Sequence, residues 1–399
     1  MNKNSTLKKL ALVVAGTLIL PVYAAADIKM GIILGFTGPI ESLTPDMANS
    51  AEMAFTEASN SGQLLGGQRI SVIRADSTCI DSGAATAAAE RLITSDKVAG
   101  IMGADCSGVT TAIANNVAVP NGVTMISPSA TSPALSTIAD NGYFFRTAPS
   151  DARQGQVLAE ITMERGISNV AITFTNNDYG KGLTDSYVNA YKGLGGKVSA
   201  VVPHDEGKAD YSAEVATLDA SGAGVLAVFG YVDQGGRHII QTSIDSGAFD
   251  KFILADGMYG ESLLKNVDGD LSGTFGTVPG TDSEGAATYT KMAQASGLKG
   301  GGPFTGESYD AAALLILAMQ SAGSTDGAAI ASNVMGVANV PGEKIMPGQL
   351  AKGLRILANG GAVDYVGATN VELTGVGEAS GSYKEFEIRN KAFQTVRFR

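Results

Sequence analysis

Polar side chains follow two successive apolar runs of this chain, at the point where each run ends. The residues that come after runs 98–103 and 123–126 are Asp105, Ser107, Ser129 and Thr131. If both runs are neighbouring parallel strands, their carboxyl ends lie at one edge of a sheet. Hydroxyls and free N–H groups at the start of a helix suit an anion such as a carboxylate. In the alternative interpretation, Ser107 is an N-cap that serves only its own helix.

The second half of the chain offers the complementary charge. The apolar run 224–229 ends near Tyr231, and the run 252–254 is followed by Asp256. An acidic side chain at a strand end can pair with a ligand ammonium, although Asp256 could also be a solvated loop residue. An anion-binding site on one sheet and a carboxylate on another would together bind a zwitterion.

Motifs of the common catalytic classes are absent from the sequence. It contains no phosphate-binding G-x-x-x-x-G-K-[ST], no G-x-G-x-x-G at a strand-to-helix turn and no G-x-S-x-G. Ser262 and Lys265 match S-x-x-K without its companion motifs. With two histidines, His204 and His238, and two cysteines, the chain is poor in ligands for zinc or iron–sulfur clusters. We therefore expect that the protein binds no metal or cofactor and has no enzymatic activity.

Composition limits the fold and the partners. The 399 residues are 44% hydrophobic, which favours a packed core over disorder and about two domains. The net charge is −11 and no basic stripe occurs, so nucleic acid is not an expected partner.

Short apolar runs alternate with longer helical segments along the chain, the pattern of βαβ units and a parallel sheet. The first set of predicted strands is 28–35, 69–75, 98–103 and 123–126, and the second is 169–174, 198–202, 224–229 and 252–254. The pattern of residues 383–398 predicts a terminal β-hairpin. The expected class is α/β, with two doubly wound sheets and a cleft between them.

Residues 1–26 have the pattern of a secretory signal peptide. Lysines precede the apolar run 10–20, and small residues follow it near a cleavage site. A membrane anchor is the alternative, but the run is short and Pro21 ends it. The mature protein is therefore expected in the periplasm. In an oxidising compartment, Cys79 and Cys106 are expected to form one disulfide, with two buried thiols as the alternative.

Several longer motifs occur in a fixed order behind this segment: IKMGIILGFTGPI, GADCSGVTTA, MISPSATSPAL, NNDYGKGL, ADYSAEVATL, VFGYVDQGG and ESYDAAALL. The chain that carries them, from residue 27 to about residue 399, resembles the periplasmic Leu/Ile/Val-binding family. These are the type I solute-binding proteins of branched-chain amino-acid ABC transporters.

The resemblance implies two Rossmann-like lobes joined by three crossovers, each lobe a mostly parallel sheet flanked by helices. We assign residues 27–146 and about 277–360 to lobe 1, and residues 147–276 and about 361–399 to lobe 2. The family pairing also matches the disulfide Cys79–Cys106.

The resemblance also implies a ligand site. The side chains of Ser107 and Thr131, with backbone donors near Ser129, would hold an α-carboxylate. Asp256 and a carbonyl near Ser129 would hold the ammonium. The remaining expected ligand-binding residues are Tyr179, Tyr231, Phe304 and Asp105.

Three positions depart from the family pattern. Asp256 stands where these binders commonly have Glu, Asp105 where they have an apolar residue, and Leu43 where they have an aromatic one. A carboxylate in a side-chain pocket disfavours an apolar ligand, so polar or cationic amino acids and small amides become plausible.

We therefore expect the substrate-binding protein of an ABC importer. It would bind an amino acid or related small polar solute by hinge closure and deliver it to a membrane permease. A ligand sensor of the same fold, or an exported hydrolase that uses Asp105 or Asp256, are the alternatives.

Overall fold

A computed structural model describes residues 27–298 and 301–399. The predicted signal peptide, residues 1–26, lies outside the described residues. None of the helices in the two described ranges combines the length and the apolar character that crossing a bilayer requires.

The first sheet has five parallel strands in the order β2-β1-β3-β4-β5. The strands are β1 Ile28–Leu34, β2 Ile70–Asp76, β3 Gly100–Gly103, β4 Thr124–Ser127 and β5 Phe144–Arg146. Every residue of β1 except Lys29 is buried, because helices cover both faces of a parallel sheet. This is why β1 appears in the sequence as a continuous apolar run.

The second sheet has seven strands in the order β14-β13-β10-β9-β8-β6-β7. They are β6 Asn169–Thr175, β7 Lys197–His204, β8 Leu226–Phe229, β9 Phe252–Leu254, β10 Phe275–Pro279, β13 Tyr383–Arg389 and β14 Ala392–Phe398. Strands β6 to β10 pair in parallel, and the hairpin β13–β14 joins β10 in antiparallel fashion. A separate parallel pair consists of β11 Glu343–Ile345 and β12 Val363–Tyr365.

Twelve α-helices of the described ranges surround these sheets. They are α1 Thr44–Ser61, α2 Ser82–Glu90, α3 Ser107–Ile113, α4 Asp151–Glu164, α5 Asp178–Gly193, α6 Ser212–Asp219, α7 Gly235–Ser246, α8 Glu261–Asn266, α9 Glu284–Ala295, α10 Thr305–Ala322, α11 Gly327–Ala338 and α12 Leu350–Ala358. Helix α10 packs against α1, α11, α12 and the first sheet, so its segment AAALLILAM is buried on every side.

The α/β architecture predicted from the alternation of strands and helices is confirmed, as are the terminal hairpin and the two mostly parallel sheets. Helices α4 and α8 and the short strands β5, β10, β11 and β12 were not predicted. Helix α4 packs against α5, and its buried face includes Gln154 and Gly155. These two residues interrupt the apolar periodicity from which a helix is predicted.

The chain passes between the two sheets at three points: after β5, after β10 and before β13. Hydrogen bonds tie these crossovers together, from Gly280 N–H to Ser382 O (3.0 Å) and from Tyr383 Oη to Ser150 O (3.1 Å).

Two of the expected lobe boundaries differ from the sheet topology. The expected boundary at residue 276 lies within β10. Strand β12, which was assigned to lobe 2, pairs with β11 of lobe 1. We propose that lobe 1 comprises residues 27–146 and 280–379, and lobe 2 the rest of the chain from residue 147.

Candidate functional site

A small cavity of about 30 Å³ lies between the two sheets, at the carboxyl ends of their strands. Seven of the eight predicted ligand-binding residues line it. The complete lining is Ile40, Leu43, Met47, Asp105, Cys106, Ser107, Ser129 and Phe304 from the first lobe, and Tyr179, Tyr231, Asp256 and Gly257 from the second. Thr131 is not part of this lining.

On the first lobe, the loops after β3 and β4 supply hydroxyl groups. Ser107 is buried, and its Oγ accepts a hydrogen bond from Ser132 N–H (3.1 Å). The N-cap position of α3 is Cys106, so Ser107 does not cap its own helix. No hydrogen bond of the described residues uses its hydroxyl proton, so Ser107 can donate that proton to an anion in the cavity.

Thr131 occupies the second position of this hydroxyl pair. Its Oγ1 is buried and has no hydrogen-bond partner in the described residues. A buried hydroxyl without a partner costs about 1–3 kcal/mol, so this atom is poised to bond a ligand or a nearby side chain.

Asp105 is bound differently from what the sequence suggested. Its Oδ2 accepts from Gly35 N–H (2.6 Å), and its Oδ1 accepts from Ser77 Oγ and Cys106 N–H (both 2.9 Å). The carboxyl group thus joins the ends of β1, β2 and β3. Burial raises the pKa of Asp105, and these three hydrogen bonds oppose that effect. Since its oxygens are occupied, Asp105 offers little to a ligand side chain.

Next to it, Cys79 and Cys106 form a disulfide with their Cα atoms 5.1 Å apart. The bond links the loop after β2 to the start of α3. The predicted pairing is confirmed, and it fixes the loop that carries Asp105 and Ser107.

On the second lobe, Tyr179 and Asp256 form one unit. Tyr179 Oη donates to Asp256 Oδ1 (2.9 Å) and accepts from Gly257 N–H (3.2 Å). Burial raises the pKa of Tyr179 well above its usual value, which keeps the phenol protonated as a donor. A Cβ on Gly257 would lie 2.6 Å from Gly230 O and 3.0 Å from this hydroxyl, so the close approach requires glycine there.

Tyr231 completes this wall of the cavity. Its ring stacks on that of Tyr179 with the centroids 5.3 Å apart, and its hydroxyl accepts from Asn177 Nδ2 (3.3 Å). Both rings are buried, and together they present an aromatic face toward the first lobe.

The structure adds one residue that the sequence reasoning missed, Asp151 at the start of α4. It is fully buried, its N–H donates to Thr131 O (2.8 Å), and neither carboxyl oxygen has a hydrogen-bond partner in the described residues. The signal that could have found it is an aspartate at the first position of a helix, directly after a crossover, but α4 itself was not predicted.

Asp151 and Asp256 are close enough for their charges to interact. Burial, and then the charge of Asp256, raise the pKa of Asp151 well above its usual range, while Thr131 and Arg146 oppose this. Burial likewise raises the pKa of Asp256 to about 6, with Tyr179 and Gln154 opposing. Two buried carboxyl groups disfavour each other's ionisation, and a cation placed between them would relieve both.

Arg146 is not that cation, because its guanidinium is already used. It donates to Ala130 O (3.0 Å), Ser132 O (2.8 Å) and Ser136 Oγ (2.8 Å), and it forms an ion pair with Glu378. These bonds hold the loop after β4, which carries the hydroxyls of the site.

The remaining wall is apolar. Leu43, Met47, Ile40 and Phe304 are buried and come from α1, the loop before it and the residue before α10. A ligand side chain that enters this part of the cavity meets hydrocarbon and an aromatic ring. In the described ranges, no group of three or more His, Cys, Asp or Glu side chains is arranged to hold a metal ion.

Direct hydrogen bonds join the lobes beside the cavity. Asp233 of the second lobe donates its N–H to Pro39 O (3.0 Å) and accepts at Oδ2 from Ser42 N–H (2.8 Å). Because residues 39–42 belong to the loop between β1 and α1, these bonds exist only while the lobes are together.

Two α/β lobes that enclose a small cavity at their strand ends define the class of type I periplasmic binding proteins. The model of the periplasmic binding protein family matches residues 27–355. The chain belongs to this family, in its branched-chain amino-acid (Leu/Ile/Val-binding) group.

Relatives and a solved structure agree with this placement. Leu/Ile/Val-binding protein homolog 1 of Brucella melitensis is 30% identical over 76% of this chain and 81% of that protein. The chemotactic signal transduction system substrate-binding protein BasB of Halobacterium salinarum is 26% identical over 93% of this chain and 89% of that protein. The crystal structure of a leucine binding protein, LivK, from Thermotoga maritima superposes with a TM-score of 0.76 at 21% identity, covering 93% of this chain and 98% of that one.

Proposed function

We propose that this protein is an exported receptor for an α-amino acid with an uncharged side chain, which it delivers to the permease of an ABC importer. The observation that carries the proposal is that the carboxyl group of Asp256 on the second lobe and the hydroxyl of Ser107 on the first lobe line the same cavity.

The charges of the cavity suit a zwitterion. Ser107 has a proton to donate to a ligand carboxylate, and charge-assisted hydrogen bonds of this kind are the strong ones. The carboxylate of Asp256, fixed by Tyr179 at 2.9 Å, suits a ligand ammonium. That ammonium would also offset the mutual repulsion of Asp151 and Asp256.

The side-chain end of the cavity supports an uncharged ligand. The sequence favoured a polar one because Asp105 replaces an apolar residue. In the structure the Asp105 oxygens accept three hydrogen bonds from the protein, whereas Leu43, Met47 and Phe304 surround the space beside them.

Binding without catalysis is part of the proposal. Asp105 and Asp256, the acid–base pair of the hydrolase alternative, lie on different lobes, and Asp105 is engaged by backbone and side-chain donors. The relatives are binding proteins by name, and the family consists of exported binding proteins, which supports a periplasmic location.

A receptor that serves a sensory system is the second candidate, because one relative that spans 93% of this chain is named as a chemotactic substrate-binding protein. The same ligand site would serve either role. The two candidates separate when the gene is deleted: loss of amino-acid uptake supports delivery to a permease, and loss of chemotaxis with normal uptake supports sensing.

Calorimetry of the mature protein against the twenty amino acids and small amides tests the ligand class. We expect saturable binding of one or a few amino acids with uncharged side chains, and no product after prolonged incubation. Binding of amides or cationic amino acids alone would contradict the ligand class, and turnover would contradict the binding role.

A further inference from the structure

A single guanidinium group holds the loop after β4, which contains residues 128–132. Arg146 is 1% exposed, and one of its terminal nitrogens donates to both Ala130 O (3.0 Å) and Ser132 O (2.8 Å). These two carbonyl groups flank Thr131. The guanidinium therefore fixes the backbone on both sides of that residue.

The same loop sets the direction of the Ser107 hydroxyl. Ser132 N–H donates to Ser107 Oγ (3.1 Å), which leaves the hydroxyl proton of Ser107 for an acceptor in the cavity that it lines. Ser132 thus binds Arg146 through its carbonyl group and Ser107 through its N–H. A displacement of the guanidinium would move the group that orients Ser107.

Glu378 supplies the charge that Arg146 needs. It forms an ion pair with the guanidinium, and the same carboxylate oxygen accepts from Ser136 Oγ (2.6 Å). A buried charge requires a partner, and removing that partner leaves the charge uncompensated. Glu378 lies 232 residues after Arg146 in the sequence and is not part of the cavity lining.

The backbone on either side of Glu378 is anchored without its side chain. Arg146 N–H donates to Gly377 O (2.9 Å), and Ala379 N–H donates to Arg146 O (3.1 Å). A substitution of the Glu378 side chain can therefore leave this pairing of the segment with β5 in place.

Asp151 is a second acidic group that the charge of Arg146 reaches. Arg146 opposes the rise in the pKa of Asp151, so the two charges attract, but no ion pair joins them in the described part of the chain. Both carboxyl oxygens of Asp151 are buried and have no hydrogen-bond partner there. Without Glu378, the guanidinium can exchange its bonds to the loop for these free oxygens, because charge-assisted hydrogen bonds are the stronger ones.

We propose that Glu378 is a positioning residue of the ligand site: through Arg146 it holds the loop after β4 in the arrangement in which Ser107 donates its proton to the ligand carboxylate. All groups in this series of contacts belong to the first lobe, so the contacts do not depend on lobe closure. The part that concerns the ligand rests on the proposed function, and the part that concerns the loop does not.

Hydrogen exchange of the ligand-free protein tests the effect on the loop. In Glu378→Ala, the Ser132 amide should exchange about tenfold faster than in the wild type, the ratio for losing one hydrogen bond. Glu378→Gln keeps an oxygen that can accept from Arg146 but lacks the charge. Because a neutral hydrogen bond has roughly half the strength of a charge-assisted one, exchange should be about threefold faster in this variant.

Glu372→Ala is the matched control, since Glu372 is an exposed carboxylate of the same segment. Its Ser132 amide should exchange at the rate of the wild type. If Glu378→Ala does not fold, Glu378→Gln carries the test. Exchange at the wild-type rate in the folded Glu378 variants would overturn the proposal.

Calorimetry with L-leucine as the probe tests the effect on the ligand site. The Kd should rise about tenfold in Glu378→Ala and about threefold in Glu378→Gln, and it should not change in Glu372→Ala. Because Glu378 acts through Ser107, its substitution should raise the Kd less in a Ser107→Ala background. A general loss of stability would not produce this non-additivity.

Fully additive effects of the Ser107 and Glu378 substitutions, or an unchanged Kd in Glu378→Ala, would overturn the role in binding. If L-leucine does not bind to the wild type, the proposed function fails for this ligand. The exchange rate of the Ser132 amide alone then decides whether Glu378 positions the loop.

Discussion

The substitution Asp256→Asn should weaken ligand binding and at the same time stabilise the ligand-free protein. Asparagine keeps an oxygen that accepts from Tyr179 Oη, so the hydrogen bond at 2.9 Å survives. What is lost is the negative charge that faces the ligand ammonium. Removing one partner of a buried charge pair costs about 2–5 kcal/mol, so the Kd should rise roughly 30- to 4,000-fold.

The stabilising effect follows from the pKa of Asp256. Its folded value of about 6 lies above the ordinary 3.8, so the folded state binds more protons than the unfolded state between these values. The free energy of unfolding contributed by this group therefore falls as pH rises from 3.8 to 6. Two pKa units correspond to about 3 kcal/mol, which Asp256→Asn should recover above pH 6 and not below pH 4.

Thermal and urea unfolding at about pH 4 and about pH 8, together with calorimetry on the amino-acid panel, measure both effects. Asp250→Asn, an exposed aspartate of the same lobe, is the matched control and should change neither. If Asp256→Asn binds like the wild type, or is less stable than the wild type at pH 8, then Asp256 is a structural acceptor and the reasoning about the ligand ammonium fails.

Four further results are expected. Ser107→Ala should raise the Kd about tenfold to a hundredfold, because it removes a donor to a charged acceptor worth about 1.5–3 kcal/mol; unchanged binding in calorimetry would mean that its hydroxyl serves only Ser132. Asp105→Leu should lower the free energy of urea unfolding by about 3 kcal/mol or more, since three buried donors lose their acceptor, whereas tighter leucine binding without a stability loss would restore Asp105 as a side-chain contact. The oxidised protein should show no titratable thiols, and the double serine variant of Cys79 and Cys106 should lose about 3.5 kcal/mol of stability; two thiols in the unreduced protein would contradict the bond. Asp233→Ala should speed ligand release in stopped-flow measurements and leave the radius of gyration larger at equal ligand concentration, because it removes a hydrogen bond between the lobes; an unchanged release rate would show that closure does not depend on it.

Most local features of the fold could be predicted from the sequence. Apolar runs such as 28–34 predict buried strands because helices cover both faces of a parallel sheet, and Gly62, with a φ of 63°, ends α1 at a residue that accepts a left-handed conformation. Helix α4 was missed because its buried face contains Gln154 and Gly155, whose neighbours α5 and β10 belong to distant parts of the sequence.

Residue types and their order determined the two-lobed fold, the family and seven of the residues that line the cavity, because strand ends and short motifs are local properties of the chain. Tertiary structure decided what those residues do. From the sequence, Asp105 is expected to be a carboxylate that is free to contact a ligand. In the structure its oxygens accept hydrogen bonds from Gly35, Ser77 and Cys106, which follow three different strands. Asp151 carries no motif and becomes part of the site only because a crossover places it beside Thr131 and Asp256. Hydrogen-bond saturation and the pKa of a buried group depend on neighbours far apart along the chain, and only the folded molecule brings those neighbours into contact.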